Sequence, residues 1–511
     1  MNNKQFALNK IFACIFCLGF LWVFVTFFTR ESIYRHFNSI IIVFGMLAFV
    51  ALYFILFKLG YGLRSSSPRF TLYTLLFFLA GIYLMLQLVF ARELYTYMGQ
   101  SWDFGIVTSA AMKYVVHDMP IDRYFNMFPN NIPLLLLFIA IFKPAYALGI
   151  TNFTDIGIFM NLVSLNVSLL LVFLTVKKIK GSRTAAVVSI IAMMITLPLL
   201  AYMAIYYTDT LTLIYPILSL YLWLCAKENL QSGKNKKAFI QIGFAALSAV
   251  AGGLLKISVL IVLIAIVVDA FISLKINKKS LIAVGLVAVL FFAVYLPSYQ
   301  AIMNAPILPE KNIEDQIPWT HWVMMGLQGN GNYYDPDYKM TIAIPGDERG
   351  DFIKQEIAQR IKDYGFFGMF DHLTEKNAFV WNDGTYYTAL KVMRDRVGPS
   401  SLDKYIIYEG EYFALYGYYC QALMMTTVVG FILAAWYMFR KKEFASVMLP
   451  FALCIFGLYV FQMLWEARSR YLLNFVPVFI VVYICSYENL FHDFNSLVSK
   501  IKLKIKKPAT K

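Results

Sequence analysis

Polar and reactive groups are scarce in this chain. Of its 511 residues only 15% are charged, five are His and six are Cys, while 60% are hydrophobic. Soluble domains are roughly 45–50% apolar, so a soluble globular protein is excluded and a polytopic membrane protein is expected. The cysteines, Cys14, Cys17, Cys225, Cys420, Cys454 and Cys485, all fall in or beside apolar runs, which excludes a disulfide framework. No His/Cys spacing suits a metal, no Gly-rich loop suits a phosphate, and neither internal repeats nor low-complexity tracts occur. Neither a metal nor a cofactor is expected. The apolar run Ile11 to Phe28 lacks a small-residue cleavage site and is expected to remain as a first helix.

The charge that is present has a pattern. The net charge is +15, and the positive residues gather in short runs between apolar segments: Lys177-Lys178-Lys180-Arg183, Lys234-Lys236-Lys237, Lys275-Lys278-Lys279, Arg440-Lys441-Lys442 and the tail from Lys500 to Lys511. This is the excess of cytoplasmic Lys and Arg found in membrane proteins, not a nucleic-acid footprint. The tail is placed to touch anionic lipid head groups.

A span takes about 20 mainly apolar residues. About twelve helices are predicted, over 11–29, 39–58, 70–90, 155–176, 184–205, 208–225, 237–254, 257–273, 280–297, 418–439, 444–463 and 471–488. The segment Ile132 to Ile150 is ambiguous. Its clean apolar run ends at Phe142 and is broken by Lys143-Pro144. If it crossed, every later basic cluster would fall outside; if it stays on the outer face, all are cytoplasmic. It is therefore read as an interfacial or re-entrant helix with Pro133 in its first turn. The chain divides into an N-terminal bundle 1–297 containing an outer loop 91–154, an extracytoplasmic segment 298–417, and C-terminal helices with a basic tail, 418–511.

This topology gathers distant polar features on one outer face. The stretch Ala91 to Asn131 holds Glu93, Asp103, His117, Asp118, Asp122 and Arg123 among Tyr95, Tyr97, Trp102 and Tyr124. A membrane-surface site and an ordinary solvated loop both fit it. Asp103 is suited to take a proton from a hydroxyl, and equally to cap a helix over Phe104–Val116. Glu466-Ala467-Arg468-Ser469-Arg470-Tyr471 sets two arginines in a short outer turn, where bidentate phosphate binding and snorkelling are the competing readings. Lys256 offers a second phosphate contact or a snorkelling loop lysine, and Asp209 a ligand or a helix cap. His321 is read as structural or substrate-facing. In 297–417, a helix near Asp351–Tyr364 is predicted to stop at Gly365. The clusters Trp319-Thr320-His321-Trp322, Asn332-Tyr333-Tyr334-Asp335 and Trp381-Asn382-Asp383-Gly384 combine aromatic faces with hydrogen-bonding groups. Such surfaces suit sugar rings, and equally a small lid packed on itself.

In order and sidedness these features resemble the GT-C superfamily of integral membrane glycosyltransferases, in particular the branch of protein O-mannosyltransferases and the aminoarabinose transferase. The points of likeness are Asp103, the segment Tyr124-Phe125-Asn126-Met127-Phe128-Pro129-Asn130-Asn131, Asp209, Leu255-Lys256 and Glu466–Tyr471. Thr320–Gly326 is similar to Gram-positive members. The resemblance implies an all-α fold of membrane helices with a juxtamembrane helical platform. It also implies a polyprenyl-phosphate sugar donor, an acceptor glycan or lipid-linked glycopolymer, and inverting transfer without a nucleotide-sugar site. Asp103 is the expected base, and Arg468, Arg470 and Lys256 the donor-phosphate ligands. Tyr124, Asn130, Asn131, Asp209, His321, Trp322, Glu466 and Tyr471 are the expected substrate contacts. Two departures stand out. Two extra helices precede the catalytic loop, and the loop lacks the paired Asp-Glu often found in the family. A lipid-linked sugar flippase or transporter, and a polysaccharide polymerase or ligase, are the alternatives.

Overall fold

Apolar runs of span length fold as helices because each helix satisfies its own backbone hydrogen bonds. The structure, a computed structural model, describes residues 3–31, 33, 37–66, 69–95, 102–274, 278–394 and 398–506, and among these no strand occurs. Tyr97, Lys275 and the last residues of the basic tail lie outside this set.

Among the described residues, 11 helices are long and apolar enough to cross a membrane. They are Asn3–Thr29, Ser39–Gly62, Thr74–Glu93, Pro129–Ala147, Phe153–Lys180, Thr208–Gln231, Asn235–Leu255, Lys278–Met303, Phe413–Arg440, Lys442–Leu464 and Ser469–Leu503. The all-α polytopic expectation is met, with two revisions to the spans. The stretch 184–205 is not one helix. It runs as Arg183–Met194, breaks, and resumes as the short helix Leu197–Ala201 with Pro198 in its first turn. The Thr196 hydroxyl folds back onto the Ala192 carbonyl (2.9 Å) at the break, and Pro198 supplies no N–H to continue the ladder. The stretch 257–273 is a short apolar helix, opened by a 3₁₀ turn at Ile257–Leu260.

The ambiguous segment forms the helix Ile132–Ala147, with Pro133 in its first turn. It packs chiefly along Asp103–His117 and also touches 296–303 and 235–255, and does not run beside Phe153–Lys180. Phe138 meets Tyr206 (5.6 Å) and Phe142 meets Phe153 (4.8 Å), close to the start of that next helix.

The bundle has two chemically different ends. At one, Lys180 pairs with Glu488 (3.2 Å) and bonds Asn489 (2.6 Å), while Tyr61 reaches Ser182, Glu488 and His492. Lys178 pairs with Glu228, Lys441 with Asp493 (3.5 Å), and Asn9 donates to the Met438 carbonyl (3.1 Å). The described basic runs at 177–183 and 440–442 meet there.

The opposite end of the first helix meets the segment 298–417. The Trp22 indole bonds Thr374 (3.2 Å), Thr26 bonds Asn382 (3.0 Å), and Arg30 pairs with Asp371 and with Glu375 (3.1 Å). The long helix of that segment, Arg349–Trp381, breaks direction at Gly365 (φ 55°, ψ −167°), where the stop was expected, and then continues. Lys376 fixes its second half. The ammonium donates to the carbonyls of Gly326, Met463 and Trp465 at 2.8–2.9 Å, closing helix ends that would otherwise leave acceptors unmade. Burial pulls its pKa down to about 7, and the Glu466 charge opposes this. The Trp381–Gly384 cluster, read as either a sugar surface or a packed lid, is buried between this segment and the bundle, which fits packing and not a sugar surface. A Cβ at Gly384 (φ 65°) would collide with the Cys420 carbonyl, so only glycine fits that approach.

Candidate functional site

A cavity of about 620 Å³ lies at the end away from the basic runs. Its walls come from five features expected on one outer side, the loop 91–131, the turns at 207–209, 253–256 and 465–471, and the segment 297–417. The last of these contributes Ile317, Trp319, Trp322, Tyr333, Lys391 and Arg394.

Asp103 is the first residue of the helix Asp103–His117, and Trp102 holds the cap position in extended backbone. No side chain caps this helix, so Asp103 is not occupied as a cap. It is instead the end of a hydrogen-bond chain. The Tyr207 hydroxyl donates to Asn131 Oδ1 (2.6 Å), the Asn131 amide to the Tyr124 hydroxyl (2.7 Å), and Tyr124 to Asp103 Oδ1 (2.7 Å). Burial and the Asp103 charge push the Tyr124 phenol well above its ordinary pKa, so it stays a donor. Among the described residues no donor reaches Asp103 Oδ2.

The cations form a second group. Lys256 pairs with Asp209, and Arg470 Nη1 lies 3.5 Å from the same carboxylate. Arg468 pairs with Glu466 (2.8 Å), whose other oxygen accepts from the Tyr471 hydroxyl (3.1 Å). Arg470 also lies over Trp102 (5.5 Å) and Tyr207 (5.6 Å), and Arg468 over Tyr387 (5.4 Å). The turn carrying both arginines is pinned by Asp383. Its carboxylate accepts from Ser469, from Thr385 Oγ1 (2.6 Å) and from the Tyr387 N–H (2.7 Å). These bonds hold Tyr386 (φ 53°) and Tyr387 (φ 67°) in left-handed backbone, which bulky side chains rarely adopt.

The structure thus brings together Asp103, Asn130, Asn131, Asp209, Lys256, Trp322, Glu466, Arg468, Arg470 and Tyr471 around one cavity. Tyr124 stands one bond behind the wall. His321 does not reach it: the ring is fully buried, Nδ1 lies 2.8 Å from Thr341 Oγ1, and the ring packs edge-on against Trp322 (5.1 Å). Burial lowers its pKa to about 4, so it is neutral at pH 7.

Sequence reading missed Lys391 and Arg394. Lys391 is only 3% exposed, and its ammonium lies 4.0 Å from the centre of the Trp102 ring. Among the described residues it has no carboxylate partner. Burial, then Arg470, Arg468 and Arg394, push it well below the usual lysine range, and Asp103 opposes them. Nothing local marks it in Thr388-Ala389-Leu390-Lys391; only the brace around Asp383 carries it to the cavity.

Fold and site together define a polytopic helical membrane protein with a cation-rich cavity at one end of its bundle. The chain belongs to the family described as "Conserved hypothetical integral membrane protein", which it matches over residues 1–491. No curated protein matches it. Among solved structures it is similar to the archaeal oligosaccharyltransferase AglB from Archaeoglobus fulgidus, in complex with an inhibitory peptide and a dolichol-phosphate. The identity is 13% over 80% of this chain and 52% of that one, with a TM-score of 0.37. The chain spans about half the length of that protein, and a likeness of this degree carries no argument.

Proposed function

We propose that the protein is an extracytoplasmic glycosyltransferase that moves a sugar from a polyprenyl-phosphate donor to a cell-surface glycopolymer, with inversion. The observation that carries this reading is the cavity itself. Among the described residues it joins a carboxylate with one free oxygen to an excess of basic groups, at the bundle end away from the basic runs. The positive-inside rule makes the basic end cytoplasmic and the cavity end external. The helix Ile132–Ala147 then lies on the outer face as a platform with Asp103–His117, and 298–417 completes that face.

Each wall has a use. Leu254, Leu255 and Ile257 line one side together with Tyr295, Tyr299 and Met303, and of these Ile257 and Tyr299 also face outward from the bundle. A lipid tail fits along that side. Arg470, Lys256 and Arg468 receive the phosphate, and Trp102, Trp322 and Tyr333 offer faces to the sugar. Tyr124 holds Oδ1 of Asp103, leaving Oδ2 to take the proton of an acceptor hydroxyl. The acceptor oxygen attacks the anomeric carbon opposite the phosphate, the carbon–oxygen bond to phosphate breaks, and the lipid phosphate leaves with that electron pair. The cations neutralise the charge that develops on it. A flippase or transporter would keep its working charges near the midplane. The buried pair Lys227–Asp269 (2.7 Å) lies toward the basic end and is engaged by Trp223, Ser273 and the Ser446 carbonyl.

Mass spectrometry of lipid co-purifying with the full chain tests the donor, and an expected result is a polyprenyl phosphate or its glycoside. Cysteines introduced near Lys234 and near Asp363 test the sidedness. They should label from opposite sides of the membrane, and labelling from the same side refutes the external site.

A further inference from the structure

Among the described residues five basic groups, Lys256, Lys391, Arg394, Arg468 and Arg470, line the cavity against three carboxylates, Asp103, Asp209 and Glu466. Of these, two basic groups have no carboxylate to match them. A sugar linked to a lipid monophosphate is a phosphodiester and brings one negative charge. Lys256 and Arg470 already share Asp209, and Arg468 is paired with Glu466. Lys391 is different. The residue is 3% exposed, lines the cavity and sets its ammonium on Trp102. Burial and the neighbouring guanidinium groups weigh against its charged form, and among the described residues no carboxylate pairs with it. An anion entering from outside the chain would hold Lys391 charged and supply that pair.

We propose that Lys391, with Arg394 at its side, receives a second anionic group, phosphate or carboxylate, so that the substrates together bring two negative charges into the cavity. This rests on the glycosyl-transfer reading and names its substrate class more closely. Two sources supply such a group: a donor linked through diphosphate, or an acceptor that itself carries phosphate or carboxylate.

The test uses the full chain in lipid nanodiscs with undecaprenyl monophosphate, undecaprenyl diphosphate and inorganic phosphate as probes, on the parent, Lys391→Gln and Lys391→Arg. Two results support the proposal. In the first, the parent binds diphosphate lipid about tenfold or more tighter than monophosphate lipid, and Lys391→Gln removes that preference, weakening diphosphate lipid far more than monophosphate lipid; the donor is then the source. In the second, the two lipids bind equally, inorganic phosphate still binds once monophosphate lipid saturates the site, and Lys391→Gln abolishes that binding; the acceptor is then the source. In both, Lys391→Arg retains most of the effect, which separates charge from folding. The proposal is overturned if Lys391→Gln changes nothing, or if it weakens monophosphate lipid as much as Arg470→Ala does. The underlying reading fails separately, if Arg468→Ala and Arg470→Ala both leave monophosphate affinity intact.

Discussion

Two buried lysine–aspartate pairs sit at opposite ends of this molecule and differ in what surrounds them. Lys227–Asp269 is sealed. Asp269 also accepts from the Trp223 indole (2.6 Å) and Ser273 (2.5 Å), and Lys227 also donates to the Ser446 carbonyl (2.7 Å). Both carboxylate oxygens and two of the three ammonium donors are used within the chain, and three helices are bolted together. Lys256–Asp209 is open. It lies on a cavity wall, Arg470 shares its carboxylate, and among the described residues Lys391 stands nearby with no paired carboxylate. The same chemistry closes a structure at one end and leaves an unbalanced positive charge at the other. An intramembrane ion pair is therefore no sign of a site by itself; the sign is the cation left over.

The largest expected effect breaks the sealed pair. Asp269→Ala leaves a buried ammonium uncompensated and should cost about 3–5 kcal/mol, read as lost folded protein in a detergent thermal-challenge assay. The double variant Lys227→Met/Asp269→Leu should restore most of it. The matching double variant at the open pair, Lys256→Met/Asp209→Leu, should fold and yet lose lipid-phosphate binding. Equal behaviour of the two doubles erases the distinction.

Next in size is the base. Asp103→Asn keeps an acceptor for Tyr124 and cannot take a proton. Sugar transfer should fall by about 10²-fold or more while donor lipid still binds. Near-parental turnover in a folded, lipid-binding variant moves the base elsewhere, with Asp122 and Asp209 next to test.

A smaller effect concerns His321, expected at the site and found behind it. Its folded pKa of about 4 lies below the ordinary 6.5, so the unfolded chain takes the proton first. The stability it contributes is present above pH 6.5 and is lost as pH falls toward 4, about 2 kcal/mol by pH 5. The thermal midpoint should therefore drop on acidification, and His321→Gln should flatten that drop. An unchanged acid slope in the variant returns His321 to the cavity.

The sequence carried the site's outline because its markers are local exceptions to an apolar background. Asp209, Lys256 and the turn at Glu466–Tyr471 each interrupt apolar sequence, Asp103 lies in a polar stretch between apolar runs, and a common sidedness was enough to gather them. What stayed hidden depends on packing. Apolarity alone ran 184–205 together, although Pro198 ends the ladder there. The Asp383 cluster has the composition of a sugar surface and is buried as a brace. Lys391 has no local signal at all, because its position is set by left-handed tyrosines that only tertiary contacts hold.

The most direct test of the central claim is the binding of undecaprenyl phosphate to the full chain in nanodiscs, measured for the parent and for Arg470→Ala. The expected result is saturable binding that weakens by about 1.5–3 kcal/mol in the variant, with Arg470→Lys restoring only part, because the bidentate fork is lost. Equal affinity in the parent and Arg470→Ala would contradict an anionic-lipid site in this cavity.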